Sequence, residues 1–178
     1  MSVTIEIRRH TDNDGDVLSD GGVAAALALG RRMAGSRYDL VVSTGAQRAT
    51  QTAATMLAGG GVSVTGGVVV EPGLRSDDED RWRAAYGAAG SGALDALRAA
   101  DPEFVDAQVR TLGDALAGVA ARLTDGQRAL VVGHSPTNEA AVLGLTGTTI
   151  GPLGKGEGAI LVGDRDGTWT VTPVEAAR

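Results

Sequence analysis

The sequence predicts an α/β fold, three layers (α/β/α) around a mostly parallel central sheet. Three observations predict it. Short runs rich in Val, Ile and Leu recur at residues 3–8, 39–43 and 129–133. Between them stand segments whose apolar residues repeat at helical spacing. Aromatic residues make up 3% of the chain and 27 of its 178 residues are glycine, so the core is built from Val, Leu, Ile and Ala.

Taken in order, residues 3–8 (VTIEIR) read as a strand rich in β-branched side chains. A helix follows in LSDGGVAAALALGRRM, with Ser19 as N-cap, Val23, Leu27 and Ala34 near one face, and Arg31 and Arg32 in the last turn. Residues 39–43 (DLVVS) are a second strand. From Thr44 a capping box, Thr44-x-x-Gln47, opens a helix carrying Ala49, Ala53, Met56 and Leu57 at helical spacing. A glycine hinge leads to a third strand around 62–70, ending at Glu71-Pro72. Residues 74–100 hold the acidic run SDDED and alanine- and glycine-rich material, expected to be helical in pieces.

Asp101-Pro102 starts a long helix, an acid at the N-cap and proline in the first position. Val105, Val109, Leu112, Leu116, Val119 and Leu123 form its core stripe. Residues 129–133 (ALVVG) are a buried strand, and Ser135-Pro136 supplies the N-cap and first position of a helix over about 136–146. The tail GAILVGDRDGTWTVTPV reads as a hairpin turning at Asp166-Gly167. No repeat or linker interrupts the pattern, so residues 1–178 are expected to form a single domain.

Composition removes several classes of function. Without cysteine there are no disulfides, thiol nucleophiles or thiolate metal sites, which fits a reducing cytoplasm. No segment approaches the roughly 18 unbroken apolar residues of a membrane span, and the start lacks the order of a signal peptide. A cytoplasmic protein with no membrane partner is expected. The net charge of −6 argues against nucleic acid as a partner. An anionic ligand would need a pocket where positive groups are concentrated locally.

Such a pocket has candidates. Arg9-His10, the stretch from Ser43 to Arg48, and Gly133-His134 each stand where an apolar strand gives way to a loop or helix. In open α/β sheets ligands gather outside the carboxyl ends of the strands. The two histidines of the chain both lie at such ends. His10 taken alone is a core histidine, a metal ligand beside carboxylates, or a nucleophile. Asp12, Asp14 and Asp16 have the alternation that opens a calcium loop, but Val17 and Val23 stand where that loop needs glycine and glutamate. If the three strand ends converge, two imidazoles, two guanidiniums and helix N-termini surround one space. That set favours a phosphoryl dianion, which histidine itself can attack.

The same residues resemble the histidine phosphatase superfamily, also called phosphoglycerate mutase-like. Arg9-His10 is similar to its Arg-His-Gly signature, STGAQRATQTA to its second-arginine motif with Arg48 in the arginine place, and LVVGHSP to its later strand-to-histidine motif. LSDGG…ALALG and GEGAILV…DGTW also stand in family order, so the resemblance spans nearly the whole chain. It implies a phosphoglycerate mutase-like fold and a phosphomonoester hydrolase of the histidine acid phosphatase type. His10 would become a phosphohistidine, while Arg9, Arg48 and His134 bind the phosphoryl oxygens. It implies no metal and no other cofactor.

Two positions depart from the family pattern. Thr11 replaces the glycine after the histidine, a change that holds if the backbone there avoids positive φ. The general acid is out of register, because Leu74 is followed by Arg75 and Ser76. Asp77 is then the nearest acid, with Asp78, Glu79 and Glu71 as competitors. Family branches that act on phosphoproteins can lack this acid. The compact chain and the displaced acid favour a phosphatase over a mutase-type phosphotransferase. The alternative from another class is a non-catalytic phospholigand-binding protein. Expected partners are a phosphorylated small molecule or a phosphoprotein, and a homodimer would be unsurprising.

Overall fold

In the computed structural model, which describes residues 2–164 and 166–176, strand β1 (Ser2–Arg9) lies within a six-stranded sheet. It pairs in parallel with β6 (Arg128–Gly133), Arg9 opposite Gly133. On its other side it pairs antiparallel with β7 (Gly158–Asp164). Strand β4 (Leu40–Ser43) runs parallel to β6, with Ser43 opposite Val132, and β5 (Val68–Val70) runs parallel to β4. The hairpin partner β8 (Trp169–Val174) completes the order β5-β4-β6-β1-β7-β8. Because β1, β4 and β6 are parallel and nearly in step, Arg9-His10, Ser43-Thr44 and Gly133-His134 leave the sheet at one edge.

Strand side chains alternate between two cores, as a period of two requires. Val41, Leu130 and Val132 face helices α1 (Asp20–Arg32) and α2 (Gln47–Gly60). Val42, Ala129 and Val131, with Ile5 and Ile7, face a second core. That core is shared with α3 (Glu79–Ala89), α4 (Leu94–Ala100), α5 (Pro102–Ala120) and α6 (Thr137–Thr146). The result is the expected three-layer α/β/α arrangement around a mixed sheet, parallel except for its terminal hairpin. Asp101 caps α5 through the Phe104 N–H, and the stripe from Val105 to Val119 is buried.

Four local expectations are corrected. On α1 the buried face is Gly22, Ala26, Leu29 and Gly30, while Val23 is 39% exposed. Glycine packing decides this, since a Cβ at Gly30 would meet the Met56 carbonyl oxygen of α2 at 2.1 Å. Helix α2 begins at Gln47 with Ala46 in the N-cap position and no side-chain cap, because the Thr44 hydroxyl is engaged by His134. The third strand is confined to Val68–Val70, since Gly66 and Gly67 turn the chain just before it with φ of 86° and 64°. Helix α6 starts at Thr137, after a cis Ser135–Pro136 peptide, and the Ser135 hydroxyl donates to Glu139 instead of capping. Among the described residues no helix is long and apolar enough to cross a membrane.

Candidate active site

His10 leaves β1 as a buried side chain, and its backbone N–H donates to the Gly133 carbonyl. Its Nδ1 lies 2.8 Å from the Thr11 carbonyl oxygen. A carbonyl only accepts, so Nδ1 carries the ring proton and Nε2 presents a lone pair. Burial pushes the imidazole down to about 4, reinforced by the charges of Lys155, Arg48 and Arg9 and opposed by the Thr11 hydrogen bond. At neutral pH the ring is therefore an uncharged base. Thr11 fits because no described non-glycine residue has positive φ, and its hydroxyl donates to the Gly22 carbonyl at 2.8 Å.

Arg48 stands in the first turn of α2, where the helix dipole disfavours a cation. Asp16 offsets this, accepting from Arg48 Nη1 at 2.7 Å and from the Gln47 N–H at 3.2 Å. The carboxylate comes from a two-stranded ribbon, β2 (Asn13–Asp14) with β3 (Val17–Leu18). Arg48 Nε lies 3.3 Å from His10 Nε2. Asp12 accepts from the Ser19 hydroxyl, which in turn caps α1. Two of the acids behind His10 therefore secure a helix start, Asp16 at α2 and Asp12, through Ser19, at α1. Among the described residues no group of three or more His, Asp or Glu side chains is arranged to hold a metal ion.

His134 emerges from β6 with its ring centroid 5.2 Å from that of His10, the planes inclined at 62°. Thr44 Oγ1 lies 2.8 Å from its Nε2. With that hydroxyl donating, Nδ1 holds the ring proton, and Nδ1 has no partner among the described residues. Burial, then the Arg48 and His10 charges, push this imidazole down to about 3.

Arg9 is anchored by Nη1, which donates to the Leu153 carbonyl at 2.7 Å, and its buried Nε is unpartnered among the described residues. The loop that supplies Leu153 also carries Lys155, whose ammonium donates to Asn13. The Gly156 N–H lies 3.2 and 3.3 Å from the Arg9 and His10 carbonyl oxygens, locking this loop to the end of β1. Burial and the neighbouring Arg9 and Arg48 lower the Lys155 ammonium pKa. Sequence reading missed Lys155, Thr44, Asp16 and Glu139. A lysine in a glycine-rich loop has no periodicity to mark it, and Thr44 satisfied a capping pattern that hid its other partner.

Beside Arg48 and His134 opens a cavity of about 250 Å³. Glu79 lines it, together with Arg75, Trp82 and Tyr86. Asp77 is exposed and opens with Asp78 onto a neighbouring depression that neither Arg48 nor His134 lines. Glu71 caps the short 3-10 turn Pro72–Leu74 by accepting from the Gly73 N–H. The geometry thus brings His10, His134, Arg9 and Arg48 together, adds Lys155 and Glu79, and leaves Asp77 outside. The Arg75 guanidinium, 2.8 Å from Glu79, holds that carboxylate below its ordinary range and therefore ionised.

The family model described as histidine phosphatase superfamily (branch 1) matches residues 3–157. No curated protein matches the chain. Among solved structures it is similar to the phosphoglycerate mutase of Bacillus anthracis str. Sterne, with a TM-score of 0.70, 21% identity, and 97% of this chain and 92% of that chain covered. A mycobacterial glucosyl-3-phosphoglycerate phosphatase is similar with a TM-score of 0.63 and 18% identity, covering 99% of this chain and 100% of that one. The phosphoserine phosphatase of Entamoeba histolytica gives 0.66 and 13%, covering 99% and 97%. At such identities these likenesses speak for a phosphoglycerate mutase-like fold alone. The family model covers most of the chain, from β1 to the loop that carries Lys155, and the chain belongs to the histidine phosphatase superfamily.

Proposed function

We propose that the protein is a metal-independent phosphomonoester hydrolase of the histidine acid phosphatase type, with residues 1–178 acting as one cytoplasmic domain. One observation carries this reading. The neutral His10 ring, its Nε2 lone pair exposed toward Arg48, lies 5.2 Å between centroids from a second neutral imidazole. On this reading a nucleophile and a hydrogen-bond donor stand on either side of the bound phosphoryl group, with Arg48 beside both.

The chemistry follows from those groups. A phosphoryl dianion draws Arg48 Nε off His10 and takes donors from Arg9, Arg48, Lys155 and His134 Nδ1. His10 Nε2 then forms a bond to phosphorus as the bond to the leaving oxygen breaks, its electron pair staying on that oxygen. The oxygen takes a proton from water. In the second half a water molecule attacks phosphorus and loses its proton to the ionised Glu79, which passes it on to the hydroxide left by the first half. The N–P bond breaks, inorganic phosphate departs and His10 regains its lone pair. Glu79 is preferred to Asp77 in this role because it lines the cavity with His134. Tyr86, 56% exposed where it lines that cavity, leaves it open to the water that hydrolysis needs and a mutase excludes.

The test is turnover of p-nitrophenyl phosphate in a chelator-treated buffer. The wild type should hydrolyse it and His10→Ala should not. Phosphate binding without turnover across a broad phosphoester panel would overturn the catalytic reading. Interconversion of phosphoglycerate isomers faster than phosphate release would make the protein a mutase.

A further inference from the structure

The cavity beside His134 is larger than a phosphoryl group needs and different in character from the site around His10. At about 250 Å³ it lies just under the roughly 300–1,000 Å³ of pockets that enclose drug-sized ligands. It has room for one ring-bearing group and not for an extended chain. Trp82 and Tyr86 line it one helical turn apart on α3, and Pro136 at the start of α6 adds a third flat surface. Trp82 is fixed by the Phe104 ring, edge-on at 5.0 Å between centroids, and is buried. Tyr86 is instead 56% exposed, leaving aromatic surface in water at the mouth of the cavity. Rigid aromatic faces of this kind bind other rings by offset stacking.

The charges of the cavity point the same way. Three arginines line it, yet each already faces a carboxylate. Arg48 pairs with Asp16 at 2.7 Å, Arg75 with Glu79 at 2.8 Å and Arg83 with Asp80 at 2.6 Å. A second anionic group on the substrate would have to displace one of these acids, and Glu79 is held ionised by Arg75. Among the described residues Arg9 and Lys155, around His10, form no ion pair and donate instead to the Leu153 carbonyl and to Asn13. A dianion is accommodated there and a flat, uncharged body beyond it.

Granting the phosphatase reading, on which this rests, we propose that the cavity takes a planar, uncharged ring on the leaving alcohol. The substrates are then phosphomonoesters such as nucleoside 5′-monophosphates, in preference to small sugar or acid phosphates. Reaction with His10 breaks the bond between phosphorus and the 5′ oxygen, the nucleoside leaves with a proton from water, and water later releases inorganic phosphate.

Adenosine 5′-monophosphate and ribose 5-phosphate share the same primary alcohol as leaving group, so their ratio of kcat/KM isolates the ring. The expected ratio is on the order of tenfold in favour of the nucleotide, the scale of one base stacked on an aromatic side chain. It should be carried by KM, and Tyr86→Ala should bring it toward one. 3-Phosphoglycerate, with a second anion, should be poorer than the nucleotide. A ratio near one in the wild type, a ratio that survives in Tyr86→Ala, or faster hydrolysis of 3-phosphoglycerate overturns the proposal while leaving the phosphatase standing. No turnover of these three or of p-nitrophenyl phosphate overturns the phosphatase reading and this proposal with it.

Discussion

The Thr44 hydroxyl lies 2.8 Å from His134 Nε2, and this contact decides which ring nitrogen of His134 carries the proton. With the hydroxyl donating, Nδ1 is the protonated nitrogen, the donor that the proposed reaction turns toward a phosphoryl oxygen. Thr44→Val keeps the shape and removes the hydroxyl, leaving the ring free to take the other tautomer. One oriented donor at a developing charge is worth about a hundredfold in kcat. That loss is expected for Thr44→Val on p-nitrophenyl phosphate, with Thr44→Ser restoring most of the activity. Full activity in the valine variant would show that His134 does not work through this contact.

Thr44 also shows where sequence reading stops. The strands were legible because β-branched runs mark them, and because parallel strands deliver their terminal residues to one edge. His10, Arg48 and His134 could be grouped on that ground alone. Thr44-x-x-Gln47 satisfied a helix-start pattern, yet a histidine 90 residues away took the hydroxyl. Val23 lost the buried face of α1 to Gly22 and Gly30, since close helix approach favours small residues over large ones. Asp77 and Glu79 are two positions apart, and which reaches the cavity depends on α3 starting at Glu79 with Asp78 as its cap. Helix phase of that kind is set by tertiary packing, not by local composition.

The two histidines make the pH behaviour directly observable, because no other imidazole is present in the chain. Burial holds them near 4 and 3 in the folded state, below the ordinary imidazole value of about 6.5. On acidification the unfolded chain therefore binds protons first. The stability contributed by the neutral rings is complete above pH 6.5 and is lost as pH falls from there toward 4 and 3. The combined loss is on the order of a few kcal/mol. Ring proton NMR should show neither histidine titrating between pH 8 and 5, and saturating phosphate should raise both. A midpoint near 6.5 for either ring would contradict the buried, neutral site.

Asp16 occupies Arg48 and the start of α2 much as a substrate oxygen would. Its side chain is 51% exposed, so the pair is screened by salt and worth about 0.2–1 kcal/mol. Asp16→Asn removes the competing charge while preserving an acceptor for the Gln47 N–H. Inorganic phosphate should then inhibit about two- to fivefold more tightly, and the difference should shrink at high salt. Unchanged inhibition would mean that Arg48 meets phosphate without leaving Asp16.

Lys155 is the cation whose presence no motif announced. Its loop is tied to the Arg9 and His10 backbone through Gly156, and its ammonium to Asn13. Lys155→Met preserves the apolar stem and deletes the charge. A rise in KM of roughly tenfold is expected, the loss of one charge-assisted hydrogen bond to a phosphoryl oxygen. Phosphate protection against thermal unfolding should weaken in parallel. If both stay at wild-type values, the ammonium serves Asn13 alone.

Glu139 acts on the site through two intermediaries. Buried to 1% exposure, it accepts from the Ser135 hydroxyl and, at 2.8 Å, from the Leu153 N–H. The Leu153 carbonyl in turn fixes Arg9 Nη1 at 2.7 Å. Burial raises the carboxyl pKa, and Glu139 Oε2 has no partner among the described residues. An amide at this place imitates the protonated acid, so Glu139→Gln should keep both accepted bonds and stay within about threefold of wild-type activity. Glu139→Leu leaves the Leu153 N–H and the Ser135 hydroxyl without their acceptor, a cost of about 1–3 kcal/mol for each buried group. Arg9 then loses the carbonyl that aims it, so KM should rise about tenfold with a smaller fall in kcat, alongside a lower Tm. A lower Tm with unchanged KM would confine Glu139 to holding the loop, with no bearing on how Arg9 meets phosphate.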